Sequence, residues 1–91
     1  DDIRLLESEG NYARVHFGAQ QPLMLRSLSQ LEERLDPAQF FRANRRQIVN
    51  LAQVAQVAPN AADGLNLRLP DGSVVEVSRR RALQFKAATG L

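Results

Sequence analysis

Apolar residues in this chain recur mainly at every second position and only briefly at helical spacing. Ile3 to Leu6 alternates loosely and reads as a strand. Glu7-Ser-Glu-Gly10-Asn11 supplies turn chemistry, because Gly permits positive φ and Asn tolerates it. From Tyr12 to Phe17 the alternation is regular, with Ala13, Val15 and Phe17 on one face and Tyr12, Arg14 and His16 on the other. Residues 3–17 therefore predict a hairpin. A second turn at Gly18–Pro22 leads to a short third strand, Leu23-Met24-Leu25.

The period then changes. Leu28, Leu31 and Leu35 recur at spacings of three and four with Glu32, Glu33 and Arg34 outward, which predicts a helix. Ser27 or Ser29 opens it, and Ser29-Gln-Leu-Glu32 matches the capping-box pattern. Asp36-Pro37 ends that helix and is expected to start a single helical turn through Gln39. Phe40-Phe41 is an apolar anchor, Ile48-Val49 a short strand, and the stretch holding Val54 and Val57 a strand through Ala58. Residues 59–64 close a turn. Leu65, Leu67 and Leu69 alternate in a strand, Pro70-Asp71-Gly72-Ser73 makes a hairpin turn, and Val75 and Val77 lie on the last strand. Ser78 caps a terminal helix with apolar positions Ala82, Leu83 and Phe85. The expected fold class is mostly β with minor α: short antiparallel strands, one internal helix and a short C-terminal helix, in a single domain over residues 1–91.

Composition narrows the functional classes. Ninety-one residues support one core and no separate catalytic lobe. The absence of cysteine excludes a disulfide framework and a cysteine–zinc site, and fits a reducing cytoplasm. No apolar run approaches the roughly 18 residues of a membrane-spanning helix. The chain opens Asp1-Asp2 without Met and reads as part of something longer. There is no Gly-rich phosphate loop and no Ser or Cys nucleophile beside a base. His16 has no second His or Cys to share a metal, and Glu7 and Glu9 are a poor acid–base pair without a cleft. The expectation is no enzyme, no cofactor and no metal.

Charge is more informative in its distribution than in its sum. The formal net charge is only +2. Yet Arg42-Ala-Asn-Arg45-Arg46 and Ser78-Arg79-Arg80-Arg81 each hold three Arg and no acid, at the edges of apolar segments. A basic face on a near-neutral body is the footprint of a polyanion partner. Arg suits this task because its planar fork of donors matches both phosphate oxygens and the guanine edge. Three cations in the first turn of the terminal helix oppose its dipole, and a bound anion would reverse that sign.

Four segments carry a family likeness: residues 5–15, residues 27–35, Phe40-Phe-Arg-Ala-Asn-Arg-Arg-Gln-Ile-Val-Asn-Leu51, and Val77-Ser-Arg-Arg80. In order and spacing they resemble the LytTR DNA-binding domain of bacterial response regulators, over nearly the whole chain. The third segment is the most specific, against a family pattern of Phe-x-Arg-x-His-Arg-Ser followed by Ile-Val-Asn. The usual His is Asn44 here, and the usual Ser is Gln47 or Arg46. The resemblance implies an elongated stack of small sheets whose loops enter successive major grooves. It also implies one or two further N-terminal strands, whose lack would leave an exposed edge strand.

By family position, Asn11, Arg45 and Arg79 are expected to read bases, and Arg42, Asn44, Arg46 and Arg80 to flank them on phosphates. Arg81 is expected to be structural, as is Asn50; Tyr12 is expected to pack, and Phe40, Phe41 and Phe85 to be core. The implied partners are double-stranded DNA with direct-repeat half-sites, a second copy of the domain on that DNA, and a receiver domain in a two-component system. The residues alone leave another class open, a protein-interaction or oligomerisation module whose Arg face meets an acidic partner. Single-stranded RNA binding fits less well, because the five aromatic residues lie mostly in core-like positions.

Overall fold

The computed structural model describes residues 3–90. Eight strands and two helices follow the order β1 (Ile3–Glu9), β2 (Tyr12–Phe17), β3 (Leu23–Met24), α1 (Leu28–Arg34), β4 (Phe40–Asn44), β5 (Gln47–Asn50), β6 (Gln56–Pro59), β7 (Leu65–Arg68), β8 (Val74–Val77) and α2 (Arg79–Thr89). A 3₁₀ turn, Leu51–Gln53, separates β5 from β6. The strands form two antiparallel sheets, one ordered β3-β2-β1-β5-β4 and the other β6-β7-β8. The described body measures 32 × 24 × 23 Å.

Both faces of the larger sheet are buried, which the pairing register explains. Leu5 lies opposite Val49 and Leu6 opposite Ile48. Successive side chains point to opposite faces, so each apolar pair serves a different core. Leu6 and Ile48 join Ala13, Val15, Phe40 and the α1 residues Leu28 and Leu31. Leu5 and Val49 join the smaller sheet through Leu65, Leu67, Val75 and Val77, and α2 through Ala82 and Phe85. Phe41 packs edge-on against Phe85, with ring centroids 5.4 Å apart.

The predicted hairpins, internal helix and terminal helix are all present, with instructive differences at their ends. β1 pairs with β2 as far as Glu9↔Tyr12, so the strand runs through Glu9 and only Gly10-Asn11 turn. Gly10 has φ 60, the pattern of a type II′ hairpin. The capping box uses Ser27 and Gln30 rather than Ser29 and Glu32, which brings Leu28 into the first turn and onto the core face with Leu31. Asp36 does not start a helix. Its carboxylate accepts from Ala38 N at 2.9 Å and its carbonyl from Phe40 N at 2.9 Å, closing a turn. Leu83 is 74% exposed, because Ala82 and Phe85 already define the buried face of α2. The first strand is not an edge: β1 lies between β2 and β5.

Asn50 is fully buried and structural. Its Nδ2 donates to Ile3 O at 2.6 Å and its Oδ1 accepts from Ala52 N at 2.9 Å, tying β1, β5 and the 3₁₀ turn together.

Candidate nucleic-acid interface

Sheet pairing brings three chain segments to one end of the molecule. Glu7 lies opposite Gln47, and Ser8 N donates to Arg46 O at 2.9 Å. The β1–β2 turn with Asn11 and the β4–β5 turn with Arg45 and Arg46 therefore leave the larger sheet at the same end. The start of α2 is drawn in from the smaller sheet. Asn44 Nδ2 donates to Glu76 O on β8 at 2.6 Å, and Arg81 Nη1 donates to Arg42 O at 3.2 Å. A groove of about 520 Å³ forms at this junction, lined by Asn44, Arg45, Arg46, Ser78, Arg80 and Arg81. The two basic clusters, far apart in sequence, thus share one concavity.

The arginines around this groove fall into two kinds. Arg42 is spent inside the protein, with its side chain only 13% exposed. Its Nε donates to Asn44 O at 2.8 Å, its Nη2 to Arg45 O at 2.7 Å and its Nη1 to Glu32 Oε1 at 2.9 Å. Asn44 is likewise engaged: it donates to Gln47 Oε1 at 3.0 Å and to Glu76 O, and accepts from Arg46 N at 2.9 Å. These two residues were expected to flank the reading side chains on phosphates; in the structure their polar groups are engaged by the turn's backbone, by the side chains of Glu32 and Gln47 and by Glu76 O. Arg81 is half-buried and bonded to β4, in keeping with a structural role. Arg45, Arg46 and Arg80, by contrast, are exposed and their guanidinium groups have no hydrogen bond or ion pair among the described residues.

Arg79 opens α2 with its side chain 78% exposed. Its Nη1 stands 4.0 Å from Asp63 Oδ2, a contact between two solvated groups that contributes little. Ser78 caps the helix by accepting from Arg81 N, and the first turn contains no acid. Asn11 is exposed at its turn, and its side chain makes no hydrogen bond among the described residues. Tyr12 beside it is 45% exposed rather than packed, because β2 leaves the core at its first residue.

Two of the acids nearby are paired. Arg14 forms a two-point pair with Glu9, and that hydrogen bond holds the Glu9 carboxyl below its usual range. Glu7 is paired with His16 at 2.7 Å and accepts from Gln47 at 2.9 Å. Glu7 and Glu76 line a separate depression together with Asn44 and Arg46. Among the described residues no group of three or more His, Cys, Asp or Glu is placed to hold a metal, and no helix is long and apolar enough to cross a membrane.

A small two-sheet domain that gathers unpaired arginines from a turn and a helix start has the charge distribution of a nucleic-acid-binding module. The particular family follows from comparison: the chain belongs to the LytTr DNA-binding domain family, which matches residues 1–90. It is 42% identical over 82 residues to the CO-responsive transcriptional regulator RcoM of Rhodospirillum rubrum, covering 89% of this chain and 35% of that protein. It is 29% identical over 91 residues to the sensory transduction protein LytT of Enterococcus faecalis, covering all of this chain and 38% of that protein. The chain thus spans little more than a third of the length of these relatives. A LytTr DNA-binding domain from Bacillus cereus superposes with a TM-score of 0.91 over 99% of this chain and 83% of that one, at 24% identity, and so shares the fold. The chain is a DNA-binding domain and not an enzyme.

Both clusters and the structural place of Arg81 were readable in the sequence, but the internal engagement of Arg42 and Asn44 was not. Arg42 lies in the strand Phe40–Asn44, which the sequence showed only as the apolar anchor Phe40-Phe41. Asn44 gave no signal, because its partner Glu76 lies 32 residues away.

Proposed function

We propose that this domain binds double-stranded DNA sequence-specifically, by placing loop-borne side chains in the major groove, as the output domain of a bacterial transcription regulator. The observation that carries the proposal is the convergence of Arg45, Arg46 and Arg80 on one groove with no internal partner. Unpaired guanidinium groups held on ordered backbone lose little on binding an anion and release counterions from DNA. Asn11, Arg45 and Arg79 read base edges, with Arg directed to guanine O6 and N7 and Asn to adenine. Arg46 and Arg80 hold phosphates, the latter helped by the N-terminal end of α2.

Family kinship supports the wider setting. The relatives include a transcriptional regulator and a sensory transduction protein, each much longer than this chain. We place the domain in the cytoplasm, joined to a receiver domain in a two-component system, with two copies on direct-repeat half-sites. Selection of bound sequences from a random duplex pool tests the sequence-specific binding and the paired half-sites: an enriched direct repeat is expected. No salt-sensitive shift of any duplex at about 50 mM salt would sink the reading in favour of an acidic protein partner, since even non-specific binders hold DNA at low salt.

A further inference from the structure

We infer that Arg42 is a positioning residue for DNA recognition: with Glu32 it clamps the β4–β5 turn from behind and never meets the phosphates. The inference rests on the reading of that turn as a DNA-contacting loop.

The geometry separates a clamp from a contact. Three nitrogens of one guanidinium meet three acceptors, the carbonyls of Asn44 and Arg45 and the carboxylate of Glu32. The two carbonyls belong to the turn itself, and Glu32 belongs to α1, on a different element. The guanidinium therefore anchors the backbone that carries Arg45 and Arg46 to a rigid helix. Turning Arg42 outward would strip two carbonyls of their donors and leave Glu32 without its pair. Arg45, Arg46 and Arg80 carry no such cost. The clamp extends further: Arg42 O accepts from Arg81 Nη1, so the start of α2 is fastened to the same residue. One side chain and its carbonyl thus fix the distance between the two basic clusters.

This arrangement makes a prediction opposite in sign to simple electrostatics. Removing an acid from a DNA-binding protein ordinarily tightens binding. Glu32 is an acid whose loss loosens the clamp, so Glu32→Gln should weaken discrimination instead. Lys at position 42 should also fail, because a point charge on a flexible stem cannot serve three acceptors as a planar fork does.

The test measures affinity for the selected duplex and a scrambled duplex, across a salt series, for Arg42→Ala, Arg42→Lys, Glu32→Gln and Arg45→Ala. Amide exchange of Arg45 and Arg46 is followed in the free protein. Expected are a fall of about tenfold in the selected-to-scrambled ratio for both Arg42 variants, within the roughly 5- to 150-fold carried by one bidentate base contact. For Glu32→Gln a smaller fall is expected, with faster amide exchange in all three variants and an unchanged salt slope. A salt slope flattened by about 0.9 in Arg42→Ala, or full binding by Arg42→Lys, would mark a phosphate contact and overturn the proposal. Should Arg42→Ala fail to fold, Glu32→Gln, whose side chain is 49% exposed, decides the question: tighter DNA binding or unchanged amide exchange refutes the clamp. An unaltered ratio in Arg45→Ala would instead refute base reading by the turn, while accelerated exchange in the Arg42 and Glu32 variants would leave the clamp standing.

Discussion

Replacing Gly64 by alanine should displace the Arg79–Arg81 segment from a position that contributes no side chain to the interface. A Cβ built at Gly64 lies 2.1 Å from Val77 O and 3.2 Å from both Arg79 N and Ser78 C. The first of these falls about 1.3 Å short of ordinary van der Waals contact. All three atoms are backbone, so no change of rotamer relieves the clash. The neighbours cannot yield easily either, since Val77 is fully buried and Leu65 nearly so. The strain must move the junction between β8 and α2, which carries the second basic cluster. Overpacking of this kind costs about 1–3 kcal/mol. At about 4–8 °C per kcal/mol for a domain of this size, Tm should fall by roughly 5–20 °C. Affinity for the selected duplex should fall as well, measured by fluorescence anisotropy well below the melting range. Gly72→Ala is the control. It meets nothing within 4 Å, and its φ of 91° makes it strained without touching α2, so Tm should drop while binding holds. If Gly64→Ala melts and binds like the parent, close approach does not position the helix start. If Gly72→Ala loses DNA equally, general destabilisation explains both.

Three further outcomes are expected. Asn50→Ala removes two buried hydrogen bonds, to Ile3 O and from Ala52 N, and should cost about 2–3 kcal/mol in urea unfolding without altering the salt slope of DNA binding. Ser78→Ala removes the cap on α2, whose bond to Arg81 N is a long 3.3 Å, and should cost about 0.5–1 kcal/mol by thermal melting, the low end for such caps. The Glu9 carboxyl should titrate below the usual range of a Glu by NMR, chiefly through its hydrogen bond with Arg14, and Arg14→Gln should bring it back up. Because the folded state holds this group's pKa down, its contribution to stability is present above the unfolded value and is lost as pH falls through the lower folded one.

Much of the fold was legible because the two periodicities differ so plainly. Residues 12–17 alternate and bury Ala13 and Val15, and Leu28 and Leu31 share a helical face, as the burial confirms. What was not legible lay at the joins. The reach of β1 to Glu9 depends on pairing with Tyr12 across a turn, which no single strand encodes. Tyr12 was expected to pack, yet it is the first residue of its strand and lies 45% exposed. Leu83 followed the apolar pattern of α2 but not its buried face, which only the neighbouring strands select.

The site was legible as a charge pattern with Arg81 set apart as structural, but the engagement of Arg42 was not legible, and the reason is physical. An arginine's role depends on how many acceptors compete for it, and acceptors are placed by the fold. Arg42 and Arg45 are three residues apart in one basic cluster. One has its guanidinium filled by two turn carbonyls and a carboxylate, while the other has no partner among the described residues. Composition counts them alike; only the first is bound before DNA arrives. The same logic divides the second cluster, where Arg81 turns inward to β4 and Arg80 faces the shared groove. Each cluster therefore pairs an arginine that fixes backbone with one left free, and the binding surface depends on both kinds. Charge reversal at Arg80 should weaken DNA binding through the salt-dependent term, whereas loss of Arg81 should act through the separation of the two clusters.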